Sequence, residues 1–85
     1  MDIRLTVGQN LRRIRLERGL SQEALAHYAR IAPSFLSQIE NGTRSATITK
    51  LHDLAMTLRI PIAELFVEGN APTKGLPRGR RVAKV

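Results

Sequence analysis

Four uncharged polar side chains recur in one stretch of the sequence at the spacing of an α-helix. They lie at i, i+3, i+4 and i+7, which share one side at about 100° per residue, and they are Ser34, Ser37, Gln38 and Asn41. The apolar Phe35, Leu36 and Ile39 fall on the opposite side. Hydroxyl and amide groups can hydrogen-bond to base edges and to phosphates, whereas a merely solvated helix face more often carries Lys and Glu. The pattern is therefore compatible with nucleic-acid readout or with an ordinary surface.

Two short helices and a tight turn are predicted to carry these side chains. Ser21 is suited to cap the first helix, because its hydroxyl can accept a hydrogen bond from a free amide of the first turn. Glu23 then lies near the positive end of the helix dipole. The chain turns around Arg30, and Pro33 begins the second helix. Gly42 ends that helix, because glycine readily adopts the left-handed conformation that is common at helix ends. The stretch 21–42 thus predicts a helix-turn-helix.

Three further helices are predicted around this unit, and no strand. The first spans about Val7–Arg18, after a loose lead-in over residues 1–6, and Gly19 stops it. Another spans Thr47–Leu58 with Thr47 as its cap, and a short fifth helix spans Pro61–Phe66. The residues expected to face inward from the fourth helix are Ile48, Leu51, Leu54, Ala55 and Leu58. The sequence predicts an all-α, compact bundle of five short helices.

Charge is distributed unevenly along the 85 residues. The net charge is +7, but residues 1–69 carry nine Lys/Arg against seven Asp/Glu, while residues 70–85 carry five basic residues and no acid. We therefore expect one folded domain, the helix-turn-helix domain, over 1–69 and a disordered, flexible basic tail over 70–85. The tail is either an inert solubility segment or an arm that follows phosphates or enters a minor groove.

Other classes of protein find little support in the composition. The chain has no cysteine, and His27 and His52 lie on different predicted helices, so we expect no enzyme, metal site or cofactor. At 85 residues we expect no separate domain for a small-molecule ligand. No run of about 18 apolar residues and no signal-peptide pattern is present. A cytoplasmic protein without a membrane partner is expected.

The run from Leu11 to Phe66 resembles the Cro-like and lambda-repressor-like helix-turn-helix regulators, the xenobiotic-response-element family. The matching segments follow the family's order without gaps and cover about two-thirds of the chain; they are LRRIRLERGLSQEALA, FLSQIENGTR and ITKLHDLAMTLRIPIAELF. The resemblance implies that the helix beginning near Pro33 enters the major groove of DNA, while the preceding helix lies across the backbone.

The same resemblance implies roles for individual residues. Base reading falls to Ala32, Pro33, Ser34, Ser37 and Gln38. Ala32 and Pro33 depart from the polar norm, so specificity is expected to depend on the other three, with Gln38 pairing bidentately with adenine. Contacts to the DNA backbone are implied for Gln22, Asn41, Thr43, Arg44 and Arg15.

Three arginines have expected roles other than direct base reading. In the family, an arginine at the position of Arg15 commonly pairs with a glutamate at that of Glu40. Arg12 either contacts phosphate or belongs to a solvated basic face. Arg30 occupies a turn where the family often has glycine, so we expect a strained or different turn there, with a charge that could reach phosphate.

Relatives often dimerise through the last helical region, which implies a homodimer on a pseudo-palindromic double-stranded DNA operator. The candidate interface residues, which could instead cover the core of the monomer, are Leu58, Ile62, Leu65 and Phe66. The segment RSATITKL resembles controller proteins of restriction–modification systems, although a prophage or chromosomal repressor is equally compatible. The alternative function is an antitoxin or another protein-interaction module. RNA binding is weaker, because aromatic residues for stacking are scarce.

Overall fold

The computed structural model describes residues 2–68, which contain helices and no strand. The elements are α1 (Ile3–Glu17), α2 (Gln22–Ala29), α3 (Pro33–Glu40), α4 (Ile48–Leu58) and a short 3₁₀ helix (Ile62–Phe66). The all-α prediction with a central helix-turn-helix, α2 and α3, is confirmed. The fifth helix is a 3₁₀ helix, so the bundle has four α-helices in this part of the chain. The predicted basic tail, residues 70–85, lies outside the described residues.

The predicted loose lead-in is wrong, because α1 begins at Ile3. The Asp2 side chain caps the helix, and its Oδ1 accepts a hydrogen bond from the Arg4 amide at 3.0 Å. An aspartate at this position satisfies an amide that has no partner inside the helix. The additional turn brings Leu5 against Gly42, where an added Cβ would lie 3.3 Å from the Leu5 Cα and closer still to its side chain.

All four α-helices contribute to a single apolar core, and the 3₁₀ helix closes it. Its buried members are Val7, Leu11, Ile14, Leu25, Ala26, Ala29, Leu36, Ile39, Leu51, Leu54, Ala55, Leu58 and Leu65. The inward orientation predicted for Ile48 is wrong, since its side chain is 74% exposed. Ile48 shares a helix face with Leu51, but it is the first residue of α4 and lies past the edge of the core.

Each α-helix is followed within two residues by a residue with a left-handed backbone. Glycine takes this position after α1 (Gly19, φ 72°) and after α3 (Gly42, φ 76°). Arginine takes it after α2 (Arg30, φ 62°) and after α4 (Arg59, φ 61°). Following Arg30, the Ile31 amide donates to the Ala26 carbonyl at 3.0 Å, which closes the helix end. The turn is therefore the left-handed one that glycine favours, at a conformational cost of about 1–2 kcal/mol for an arginine.

The helices described within residues 2–68 are too short or too polar to cross a membrane.

Candidate nucleic-acid interface

The polar stripe predicted on α3 is an exposed face of the structure. Ser34, Gln38 and Asn41 are exposed and Ser37 is half-buried, while Leu36 and Ile39 on the other side are buried. Pro33, at the first position of α3, and Ala32 before it are also exposed. The five predicted base-reading residues therefore lie at or near the surface of one short helix, whose apolar side rests on the core.

A buried ion pair fixes the end of this helix to α1. Arg15 Nε donates to Glu40 Oε2 at 2.7 Å and Arg15 Nη2 donates to Oε1 at 3.1 Å, with 8% of the Arg15 side chain and 1% of the Glu40 side chain exposed. Gln22 Nε2 also donates to Glu40 Oε1, at 3.0 Å. Arg15 Nη1 bonds the Leu20 carbonyl at 2.7 Å. One carboxylate thus connects α1, α2 and α3.

Glu40 can take this position because α1 and α3 approach each other very closely at Gly8. A Cβ added to Gly8 would lie 2.6 Å from the Glu40 carbonyl oxygen and closer still to that of Ile39. Only glycine permits such contact between a helix and the backbone of its neighbour. Sequence reasoning missed Gly8, although an isolated glycine inside a helical pattern is a known signal of close packing.

Asn10 is a second residue that the sequence reasoning missed. Its buried Nδ2 donates to the carbonyls of Leu65 at 2.9 Å and Val67 at 2.8 Å, so it attaches the 3₁₀ helix to α1. The sequence feature that could have identified it is the position of this polar amide side chain on the apolar face of α1, between Val7 and Leu11. Such a buried polar group is retained when it satisfies other buried polar groups.

An open cleft of about 870 Å³ lies beside the polar face, between α1 and the helix-turn-helix. Four of the seven residues predicted to contact the DNA backbone line it, namely Arg12, Arg15, Gln22 and Asn41. Arg12 is exposed, whereas Arg15 is turned inward by its bonds to Glu40. The cleft therefore combines one free cation with amides that can bond an anion.

The other three predicted backbone contacts lie outside this cleft. Thr43 and Arg44 are exposed in the loop after α3, and Arg30 is exposed at the turn between α2 and α3. Arg44 leans back over α3, with its Nη1 3.3 Å from Gln38 Oε1 and its guanidinium carbon 5.4 Å from the centroid of the Phe35 ring.

The residues predicted at a dimer interface divide into two groups. Leu58 and Leu65 are buried inside the single chain, with 1% and 0% exposure, so they cannot present a surface to a partner. Ile62 is half-buried and Phe66 is exposed. Phe66 borders an apolar groove of about 240 Å³, whose other apolar side chains include Ile3, Val7, Ile39, Ile48 and Leu51.

Within residues 2–68 no cluster of histidine, aspartate and glutamate could hold a metal ion. His27 and His52 are both exposed, on α2 and α4.

The chain belongs to the helix-turn-helix family, whose model matches residues 11–65. It is 37% identical over 81 residues to the HTH-type transcriptional regulator y4dJ of Sinorhizobium fredii, covering 95% of this chain and all of that protein. The match confirms the resemblance drawn from the sequence.

Solved structures of restriction–modification controller proteins are also similar. The controller C.AhdI of Aeromonas hydrophila has a TM-score of 0.72 and 36% identity, over 74% of this chain and 96% of that one. The controller C.Esp1396I, solved as a tetramer with its natural 35-base-pair operator, has a TM-score of 0.70 and 29% identity, over 78% of this chain and 87% of that one. The likeness to controller proteins is confirmed as well.

Proposed function

We propose that the chain is a transcriptional regulator that binds a pseudo-palindromic DNA operator sequence-specifically as a homodimer. The observation that carries the proposal is the exposed polar face of α3, which a buried ion pair holds in a fixed orientation next to a cleft with a free arginine. Hydroxyl and amide groups on a rigid helix suit base reading, and a cation beside them suits phosphate.

In the proposed complex α3 lies in the major groove and α2 crosses the backbone. Ser34 and Gln38 face base edges, while Ala32 and Pro33 can contact thymine methyl groups. Gln22, Asn41 and Arg12 meet phosphates from the cleft. Since phosphate contacts carry no sequence information, they set the register of the helix and supply the salt-dependent part of the affinity.

The apolar groove is the surface that we assign to the second copy of the chain. Ile48 projects from it with 74% exposure, beside Ile3 and Phe66, which are 46% and 37% exposed. Exposed apolar groups that adjoin one another mark interaction surfaces. Arg44 and Ser45, in the loop after α3, also border the groove. We propose a two-fold axis beside Ile48 that keeps Arg44 and both copies of α3 exposed and close together, as two half-sites about one helical turn apart require.

Selection of sites from random duplex DNA with the purified protein tests DNA recognition. We expect two inverted half-sites spaced by about 34–36 Å between centres. Salt-sensitive binding without any enriched motif would contradict the proposal, and a search for a protein partner, as for an antitoxin, would then follow.

Sedimentation of two variants tests the dimer surface. Ile48→Glu places a charge in the groove and is expected to shift the protein towards monomer and to weaken binding to the full operator. Met56→Glu is the matched control, because Met56 lies on the same helix, is 64% exposed and does not line the groove. Equal behaviour of the two variants would exclude the groove as the interface.

A further inference from the structure

Arg44 lies beside the recognition helix α3, although it belongs to the loop that follows. Its Nη1 donates to Gln38 Oε1 at 3.3 Å. Its guanidinium carbon lies 5.4 Å from the centre of the Phe35 ring, within the range where a cation is attracted to an aromatic face. Two side chains of α3 thus hold the charged group of Arg44 at the side of the helix that carries Gln38.

The backbone places Arg44 there as well. Gly42 adopts a left-handed conformation with φ 76° and turns the chain back on α3. The amide of Thr43 then donates to the Gln38 carbonyl at 3.0 Å, and its hydroxyl donates to the same oxygen at 3.2 Å. Residues 43 and 44 are therefore bonded to the main chain and to the side chain of Gln38, so the position of Arg44 depends on α3 itself.

We propose that Arg44 determines specificity by reading a guanine, with Phe35 and Gln38 as its positioning residues. The proposal rests on the proposed function, DNA recognition through α3. It differs from the phosphate role that the family resemblance implies for Arg44, because the guanidinium is held against a base-reading residue. It also couples two side chains that would otherwise act independently.

The chemistry of the bonded pair selects the base. A guanidinium has five N–H donors, and Arg44 uses one of them on Gln38. The Gln38 amide oxygen accepts that bond through one of its two lone pairs, so most of the groups that the pair presents are N–H donors. In the major groove guanine offers two acceptors, N7 and O6, whereas adenine offers one acceptor and one donor. A surface rich in donors is complementary to guanine.

The experiment compares site selection by the full-length wild type with selection by Arg44→Ala and Arg44→Lys, followed by titration of single-base operator variants. We expect a guanine in each wild-type half-site that both variants fail to select. Lysine keeps the charge but lacks the bidentate geometry. Discrimination at that base pair should fall by roughly 5- to 150-fold in both variants. Phe35→Leu keeps apolar bulk without the aromatic face, and it should reduce discrimination at the same base pair only.

Arg12→Ala is the matched control for a phosphate contact. Arg12 lies in the cleft, away from Gln38, and its loss should weaken binding to all sequences equally, with a salt dependence reduced by about one charge. If Arg44→Ala behaved in the same way and left the motif unchanged, Arg44 would be a phosphate contact and this inference alone would be overturned. A wild type that selected no motif would overturn the proposed function, and this inference with it.

Discussion

Replacing Glu40 by glutamine should destabilise the fold strongly, because this residue accepts three hydrogen bonds in a buried site. Two come from Arg15 and one from Gln22, at 2.7 to 3.1 Å. Glu40→Gln removes the negative charge and leaves the Arg15 guanidinium buried without a counter-ion. It also directs an amide NH₂ group towards N–H donors, so at least one hydrogen bond becomes a donor–donor contact.

The magnitude follows from the burial of the pair. With only 8% and 1% of the two side chains exposed, removal of one partner should cost about 3–5 kcal/mol. A domain of this size has a free energy of unfolding of roughly 4–13 kcal/mol, at about 0.05–0.15 kcal/mol per residue. The substitution should therefore remove a large fraction of the total stability.

Urea unfolding, monitored by circular dichroism, measures this loss. The urea concentration at the midpoint should fall, while the dependence of the unfolding free energy on urea concentration stays unchanged. Glu17→Gln is the matched control, since Glu17 pairs with Arg13 on the surface of the same bundle at 3.3 Å, and an exposed pair of this kind contributes about 0.3–0.5 kcal/mol. The double variant Arg15→Met/Glu40→Leu should recover much of the loss, because no charge stays buried. Equal costs for Glu40→Gln and Glu17→Gln would refute the reasoning.

Three further substitutions have expected effects on stability. Gly8→Ala should destabilise by about 1–3 kcal/mol, because its Cβ would overlap carbonyl oxygens of α3. Asn10→Ala should cost about 1–3 kcal/mol, because two carbonyls near the end of the 3₁₀ helix lose their donor. Arg59→Gly should stabilise by up to about 1 kcal/mol, because it relieves a left-handed backbone while it raises the entropy of the unfolded chain. Thermal and urea unfolding measure all three.

Controls separate the causes of these effects. Gly19→Ala tests backbone conformation alone, since Gly19 has a positive φ and a Cβ there would meet no atom within 4 Å. Gly8 lies inside α1 without a positive φ, and alanine favours a helix over glycine. A loss of stability in Gly8→Ala is therefore steric, and the absence of a loss would contradict this explanation. Asn10→Asp keeps the size but places a buried carboxylate against two carbonyl oxygens, so it should cost at least as much as Asn10→Ala. Arg59→Lys should leave stability unchanged, and a loss of stability in Arg59→Gly would show that the side chain compensates for its backbone.

Local chemistry predicted much of this protein. Ser21 and Thr47 cap their helices as expected, since each hydroxyl accepts a hydrogen bond from an amide three residues later. The faces of α3 and the left-handed Gly42 also followed from spacing and residue type. These features depend on residues within one or two helical turns of each other. The Asp2 cap is of the same local kind, since its carboxylate accepts a hydrogen bond from an amide two residues later.

The tertiary structure decided how much of each helix face is covered. Helical periodicity places Ile48 and Leu51 on one side of α4, but only the tertiary packing leaves the first exposed and buries the second. It equally buries Leu65, whose carbonyl bonds a side chain 55 residues earlier in the chain. Periodicity defines the direction of a side chain, whereas its burial depends on where helices cross and end. That crossing is set at Gly8 and at the Arg15–Glu40 pair, by contacts between residues far apart in sequence.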